Sequence, residues 1–190
     1  MTGYRHRGGA LSRRAPVEAP ALRIREMEPA GRSPDRGTPV TVRRARRGDR
    51  SFVLETARRL SDFDLPSWRG SAEIVAGEVR TLEGFFRQPP PGSELLLAEA
   101  GGEPAGFALL ETGRDYFDRR EHAHLGILAV TRESEGLGVG GALVAAAEEW
   151  ARGRGLGKLT LNVFERNGRA RRLYERHGFA AETLRYTKKI

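Results

Sequence analysis

From residue 39 onward, apolar residues recur with periods that switch between two and about 3.6. Val40 and Val42 alternate with polar neighbours, which predicts a strand. Residues 52–60 carry Phe52, Val53, Leu54 and Leu60 at helical spacing, with Asp49 placed to cap them. Residues 62–68 hold two aspartates and Pro66 and predict a loop. Over residues 71–88, Ile74, Val75, Val79, Leu82 and Phe86 suit one helix, started by Ser71 and stopped by Pro89-Pro90-Pro91-Gly92. Residues 94–100 and 104–111 are apolar runs joined by Gly101-Gly102-Glu103, a β-hairpin pattern. A polar connection at 116–120 leads to a strand at 122–130, then to a glycine-rich loop at 136–141. A helix follows at 143–152, with Leu143, Val144, Ala147 and Trp150 on one side. The reading ends with a strand at 158–164, a helix at 167–177 stopped by Gly178, and a strand at 179–188. The order βααβββαβαβ joins a hairpin-rich half to a strand–helix–strand crossover. That places the chain in the α/β (α+β) class, with a mixed sheet and flanking helices.

Residues 1–38 break this pattern. Pro16, Pro20, Pro29 and Pro34 are interspersed with Gly8, Gly9, Gly31 and Gly37, and large apolar residues are few. Too little apolar surface is available to offset the entropy of ordering, so the segment reads as a disordered Arg/Pro-rich tail before a domain at 39–190. It has no continuous apolar stretch of the secretory kind.

Composition narrows the chemistry. The chain of 190 residues contains no cysteine, which excludes disulfides, thiolate metal sites and cysteine nucleophiles. With only four histidines, no metal site is expected. No apolar run approaches the roughly 18 residues of a membrane span, so no membrane contact and a cytoplasmic location are expected. The net charge is +8, carried almost wholly by arginine, and is shared evenly between the tail and the remainder. A basic protein favours anionic partners, but the charge is spread rather than clustered on one stretch. The tail carries a single aromatic residue, Tyr4, so nucleic-acid binding is not expected.

The run Glu135-Gly136-Leu137-Gly138-Val139-Gly140-Gly141 lies between a predicted strand and a predicted helix. Such a loop lets backbone N–H groups approach a ligand, and the helix that follows adds its positive end, so a phosphate or pyrophosphate is the natural ligand. A tight packing turn is the bland alternative. Gly136, Gly138 and Gly141 also satisfy the dinucleotide pattern G-x-G-x-x-G. Thr131 to Glu135 separate that pattern from its strand, however, and the preceding hairpin is wrong for a βαβ nucleotide unit.

The stretch Leu128-Ala129-Val130, a short loop and Glu135-Gly-Leu-Gly138-Val-Gly140 resembles the acyl-CoA signature of the GNAT superfamily of N-acetyltransferases. That signature is usually Gln/Arg-x-x-Gly-x-Gly/Ala. A second signature follows in the expected order: Asn167, Ala170, Leu173-Tyr174 and Gly178-Phe179. The resemblance covers about four-fifths of the chain and leaves residues 1–38 outside. The sequence departs from the pattern at Glu135, where a carboxylate replaces Gln or Arg beside an expected pyrophosphate.

The resemblance implies direct acetyl transfer from acetyl-CoA to an amine acceptor, a small molecule or a protein N-terminus or lysine. It places the cofactor along Leu128, Ala129 and Val130, whose N–H groups would also face the thioester oxygen, and around Glu135 to Gly141. Asn162, Asn167 and Ala170 join that set, although helix capping alone explains Asn167. Tyr174 is implied as proton donor to the leaving thiolate, with plain aromatic packing as the alternative. In this family the base often lies on the strand before the glycine loop. Alternation puts His122, His124, Gly126 and Leu128 on one face there, which makes His124, then His122, the candidate bases. Glu111 is a third. Asp62, Phe63, Asp64 and Trp68 offer carboxylates and aromatic faces to a cationic amine. Dimerisation is common in the family. The competing reading is an acyl-CoA-binding regulatory module without catalysis.

Overall fold

The computed structural model describes residues 38–190. The tail read at 1–38 therefore lies outside the described residues, apart from Thr38. Five strands form one sheet in the order β1-β2-β3-β4-β5: β1 (Val40–Arg44), β2 (Glu94–Ala100), β3 (Glu103–Arg114), β4 (Glu121–Val130) and β5 (Leu159–Leu161). The first three pairings are antiparallel and β4–β5 is parallel. The helices are α1 (Arg50–Thr56), α2 (Ser71–Arg87), α3 (Val139–Gly153) and α4 (Gly168–Arg176).

The apolar runs of β2 and β3 are near-continuous because both faces of the sheet are covered. On one face Leu96, Ala98, Ala108, Leu110, Ala123 and Leu125 pack with Leu143, Val144, Ala147 and Trp150 of α3. On the other, Leu95, Leu97, Phe107, Leu109, Ile127 and Ala129 pack with Val53, Ala57 and Leu82 from the α1–α2 layer. Each leucine, isoleucine, valine or phenylalanine among them contributes about 1.5–3 kcal/mol when fully buried.

Several boundaries differ from the sequence reading. The helix expected over 52–60 ends at Thr56 and tightens into a 3-10 turn, Ala57–Ser61. Asp49 makes no side-chain cap to α1; its carboxylate accepts from Arg46 N at 2.6 Å and from Arg43 at 2.8 and 3.0 Å. Gly70, not Ser71, is the N-cap of α2, and Ser71 is its first residue. The glycine run is shorter than expected, because Val139, Gly140 and Gly141 already belong to α3.

The largest difference is at the C-terminus. Residues 179–190 form no strand, and β5 covers only three of the seven residues expected at 158–164. A β5 this short offers little ladder for another strand to extend. Leu184 and Tyr186 stand exposed, Tyr186 at 89%, so no apolar burial drives that pairing.

β4 also departs from simple alternation. Leu109 pairs with Ile127, yet Leu110 pairs with Leu125, so Gly126 is the extra residue of a bulge. A one-residue shift moves every later side chain to the other face. His122 and His124 therefore share the α1–α2 face with Ile127 and Ala129, while Leu128 and Val130 turn toward α3. The expectation that the histidines and Leu128 share one face is corrected by this bulge.

Candidate functional site

β4 and β5 pair only from Ala123↔Leu159 to Leu125↔Leu161. Beyond Leu125 the two strands part. Residues Leu128, Ala129 and Val130 stay paired to β3, through Ala108, Phe107 and Gly106, but have no β5 neighbour. An extended chain with amide groups can fill such an opening as an added strand does. Gly106 makes the β3 side tight: a Cβ there would lie 2.7 Å from the carbonyl of Ala129.

The loop after β4 is fastened before it reaches α3. Thr131 N donates to Ala105 O at 2.8 Å, and the Thr131 hydroxyl donates to buried Ser134 Oγ at 2.9 Å. Gly136 and Gly138 then adopt φ of +80° and +83°, which only glycine takes freely. Gly138 is the N-cap and has no side chain to satisfy the first turn, so the N–H groups of Val139, Gly140 and Gly141 begin α3 without a side-chain cap. Aligned donors and the helix dipole make this a place for an anion. Gly140 and Gly141 serve a different purpose. A Cβ on either would press on Leu173 or His177 at 3.1 Å, so these two glycines let α4 approach α3. The packing alternative thus holds for the second pair, and Leu137 between Gly136 and Gly138 is partly exposed.

After β5, the Asn167 side chain caps α4 by accepting from Ala170 N at 3.1 Å. Tyr174 packs edge-on against Phe179, with ring centroids 5.7 Å apart. Burial pushes its phenol up to about 12, so the group is protonated near neutral pH. Tyr174 lines an open groove of about 1180 Å³ together with Thr160 and Asn162.

His124 connects this groove to the opposite face. Its Nδ1 lies 2.8 Å from Thr160 Oγ1, and the Thr160 hydroxyl donates to Ala123 O at 3.3 Å. A hydroxyl that donates there accepts from the ring, so Nδ1 carries the proton and Nε2 the lone pair. Asn162 Nδ2 sits 3.5 Å from that Nε2, a long contact. Burial lowers the His124 pKa, with Glu111 opposing and His122 adding to the shift. The imidazole is therefore neutral and able to take a proton. Glu111, His122 and His124 line a second pocket of about 370 Å³ with Pro90, Pro91 and Arg114. His122 stays outside the Thr160 linkage, and its Nδ1 is buried without a partner.

The acceptor residues expected on the α1–α2 loop are differently employed. Asp62 binds Arg59 and Arg132, at 3.1 and 3.3 Å, and Asp64 binds Arg166 at 3.0 Å. Phe63 packs on Phe164 with centroids 5.2 Å apart, and Trp68 is 42% exposed. Both carboxylates are thus engaged by arginine, and the loop reaches across to the β5–α4 connection. The sequence reading missed Thr160 and Arg59. Arg59 Nη1 donates to Val130 O at 2.7 Å, while another of its nitrogens meets Glu135. The unusual carboxylate at Glu135 was the available signal, because a charge in that place calls for a countercharge.

A family model described as the Acetyltransferase (GNAT) family matches residues 57–179. The chain belongs to the GNAT family and is an N-acetyltransferase. An "Uncharacterized N-acetyltransferase YhfO" of Bacillus subtilis is 31% identical over 110 residues, covering 57% of this chain and 74% of that protein. The Thialysine N-epsilon-acetyltransferase of Bos taurus is 29% identical over 146 residues, covering 73% of this chain and 83% of its own. Among solved structures, a "Putative acetyl transferase from Pyrococcus furiosus" aligns with a TM-score of 0.64 and 26% identity. That alignment covers 80% of this chain and 99% of the other. The mixed, mostly antiparallel sheet of this GNAT domain matches that architecture. Among the described residues, no helix is long and apolar enough to cross a membrane, and no cluster of His, Asp and Glu could hold a metal ion.

Proposed function

We propose that this GNAT protein moves the acetyl group of acetyl-CoA directly to a primary amine. The observation that carries the reading is the parting of β4 from β5 beside the uncapped start of α3. When bound there, acetyl-CoA supplies an activated thioester. Leu128, Ala129 and Val130 would align its pantetheine arm through backbone groups, and the N–H groups of Val139, Gly140 and Gly141 would hold its pyrophosphate. Asn162 would border the arm from β5. His124 Nε2 takes the proton that the amine must lose before attack. Tyr174 gives a proton to the departing sulfur; its raised pKa keeps the phenol protonated until then. With no cysteine in the chain, no acyl-cysteine can form on it.

The acceptor enters the pocket of Glu111, His122 and His124, where the Glu111 carboxylate suits an ammonium group. The activity named for the Bos taurus relative, N-epsilon-acetylation of thialysine, supports an amine nitrogen as acceptor.

The test is thiol release from acetyl-CoA over a panel of small amines, N-terminal peptides and lysine peptides. A cysteine-free enzyme gives no thiol background of its own. Amine-dependent thiol release with a matching acetylated product supports the reading. Tight acetyl-CoA binding without turnover on any amine would instead favour a regulatory acyl-CoA module.

A further inference from the structure

Glu135 is the one position at which the glycine-loop signature is inverted in charge, and the structure shows where that charge goes. Arg59 and Arg169 both reach the same oxygen, Glu135 Oε1. They come from separate places: Arg59 from the turn after α1, Arg169 from the first turn of α4. Arg59 is held at 17% exposure by two further bonds, to Val130 O at 2.7 Å and Asp62 Oδ2 at 3.1 Å. Its free end is thus fixed beside the last residue of β4. Arg169, 59% exposed, has no other ion-pair partner among the described residues. Glu135 is itself 39% exposed and directly precedes Gly136 of the loop. Two guanidinium groups converge on one carboxylate at the mouth of an uncapped helix, and guanidinium forks match phosphate oxygens as well as carboxylate.

We propose that Arg59 and Arg169 form a phosphate subsite for the acyl donor and that Glu135 is its resident anion, displaced when the donor's pyrophosphate binds. The inference rests on the acetyl-CoA reading above. Glu135 pairs with both arginines in the free protein, and for Arg169 it is the sole ion-pair partner among the described residues. On binding, its side chain turns to solvent, and the guanidinium groups pass to phosphate oxygens. Glu135 therefore weakens donor binding by competition, and its removal tightens binding. The arginines beside it hold its carboxyl down at about 2, so the competitor is ionised at any working pH.

The experiment is calorimetric titration of the full chain with acetyl-CoA, and separately with inorganic pyrophosphate, at low ionic strength. Wild type, Glu135→Gln, Arg169→Gln and the double variant are compared, with thermal unfolding run on each. Glu135→Gln is expected to bind acetyl-CoA about fivefold more tightly, from the loss of the competing, partly exposed pairs. Arg169→Gln is expected to bind more weakly, and most of the Glu135→Gln gain should disappear in the double variant. Unchanged or weaker binding by a folded Glu135→Gln protein would overturn the inference, since Glu135 would then only order the loop. If no variant takes acetyl-CoA yet Glu135→Gln gains pyrophosphate affinity, the subsite stands and the acetyl-CoA reading falls. If Glu135→Gln gains neither ligand, the subsite falls.

Discussion

The sheet from β1 to β4 and the edge from β4 to β5 are held by different means. In the first region, antiparallel pairing runs without a gap from Gly106 to Arg114 along β3, apart from the bulge at Gly126. Leu97 and Phe107 are wholly buried between helical layers. In the second, parallel pairing covers Ala123 to Leu125 only, and Leu159 and Leu161 are half-buried. The pocket of about 370 Å³ still draws on the first region through Glu111 and Arg114 of β3, whereas the opening lies where β4 and β5 part. The two regions thus differ in how firmly their strands are held, and β4 belongs to both.

This contrast can be broken by mutation. The largest effect is expected for Phe107→Ala, a loss of about 3–5 kcal/mol in urea unfolding. Leu161→Ala in the loose region should cost only ~1 kcal/mol. Equal losses at the two positions would refute the division. Next comes chemistry without stability: Tyr174→Phe should lower kcat by about 10²-fold, with the denaturation midpoint nearly unchanged. A large fall in stability instead would assign the tyrosine to packing. Gly106→Ala tests the shared strand. The 2.7 Å approach to Ala129 O forces β4 to shift, for about 1–3 kcal/mol and a raised KM for acetyl-CoA.

The smallest effect is in pH. Because burial lowers the His124 pKa, the acid limb of kcat/KM should fall below the ordinary histidine value of about 6.5. Between the lowered value and about 6.5 the unfolded chain binds more protons. Stability should therefore be full above that window and decline as pH drops through it. His124→Gln should remove the limb and lower the rate at pH 7.

The tight region was the more legible in the sequence. The apolar runs of β2 and β3 and the face of α3 are long enough to fix both type and position. The loose region was read less well. Leu184 and Tyr186 are two apart, as on one face of a strand, yet spacing records only which side chains could face inward, not whether a neighbour is there to pair. Gly136 and Gly138 lie in the loop before α3, Asn167 caps α4 and Tyr174 lies on α4. Arg59 was invisible because its partners Val130 and Glu135 lie 71 and 76 residues away. The true facing of His122 and His124 was hidden by a bulge whose local mark is a single glycine, and glycine in a strand has several meanings.

That bulge has a consequence for how the chain can change. Substituting Gly126 alters one side chain in an exposed position whose nearest neighbour is the flexible end of Glu111. Deleting it would set Leu125 and Ile127 side by side opposite the adjacent Leu109 and Leu110, so His122, His124, Ile127 and Ala129 would keep one face and Ala123, Leu125, Leu128 and Val130 the other. The extra residue therefore supplies a local bend and twist rather than a choice of faces, and the same facing is open to a strand one residue shorter.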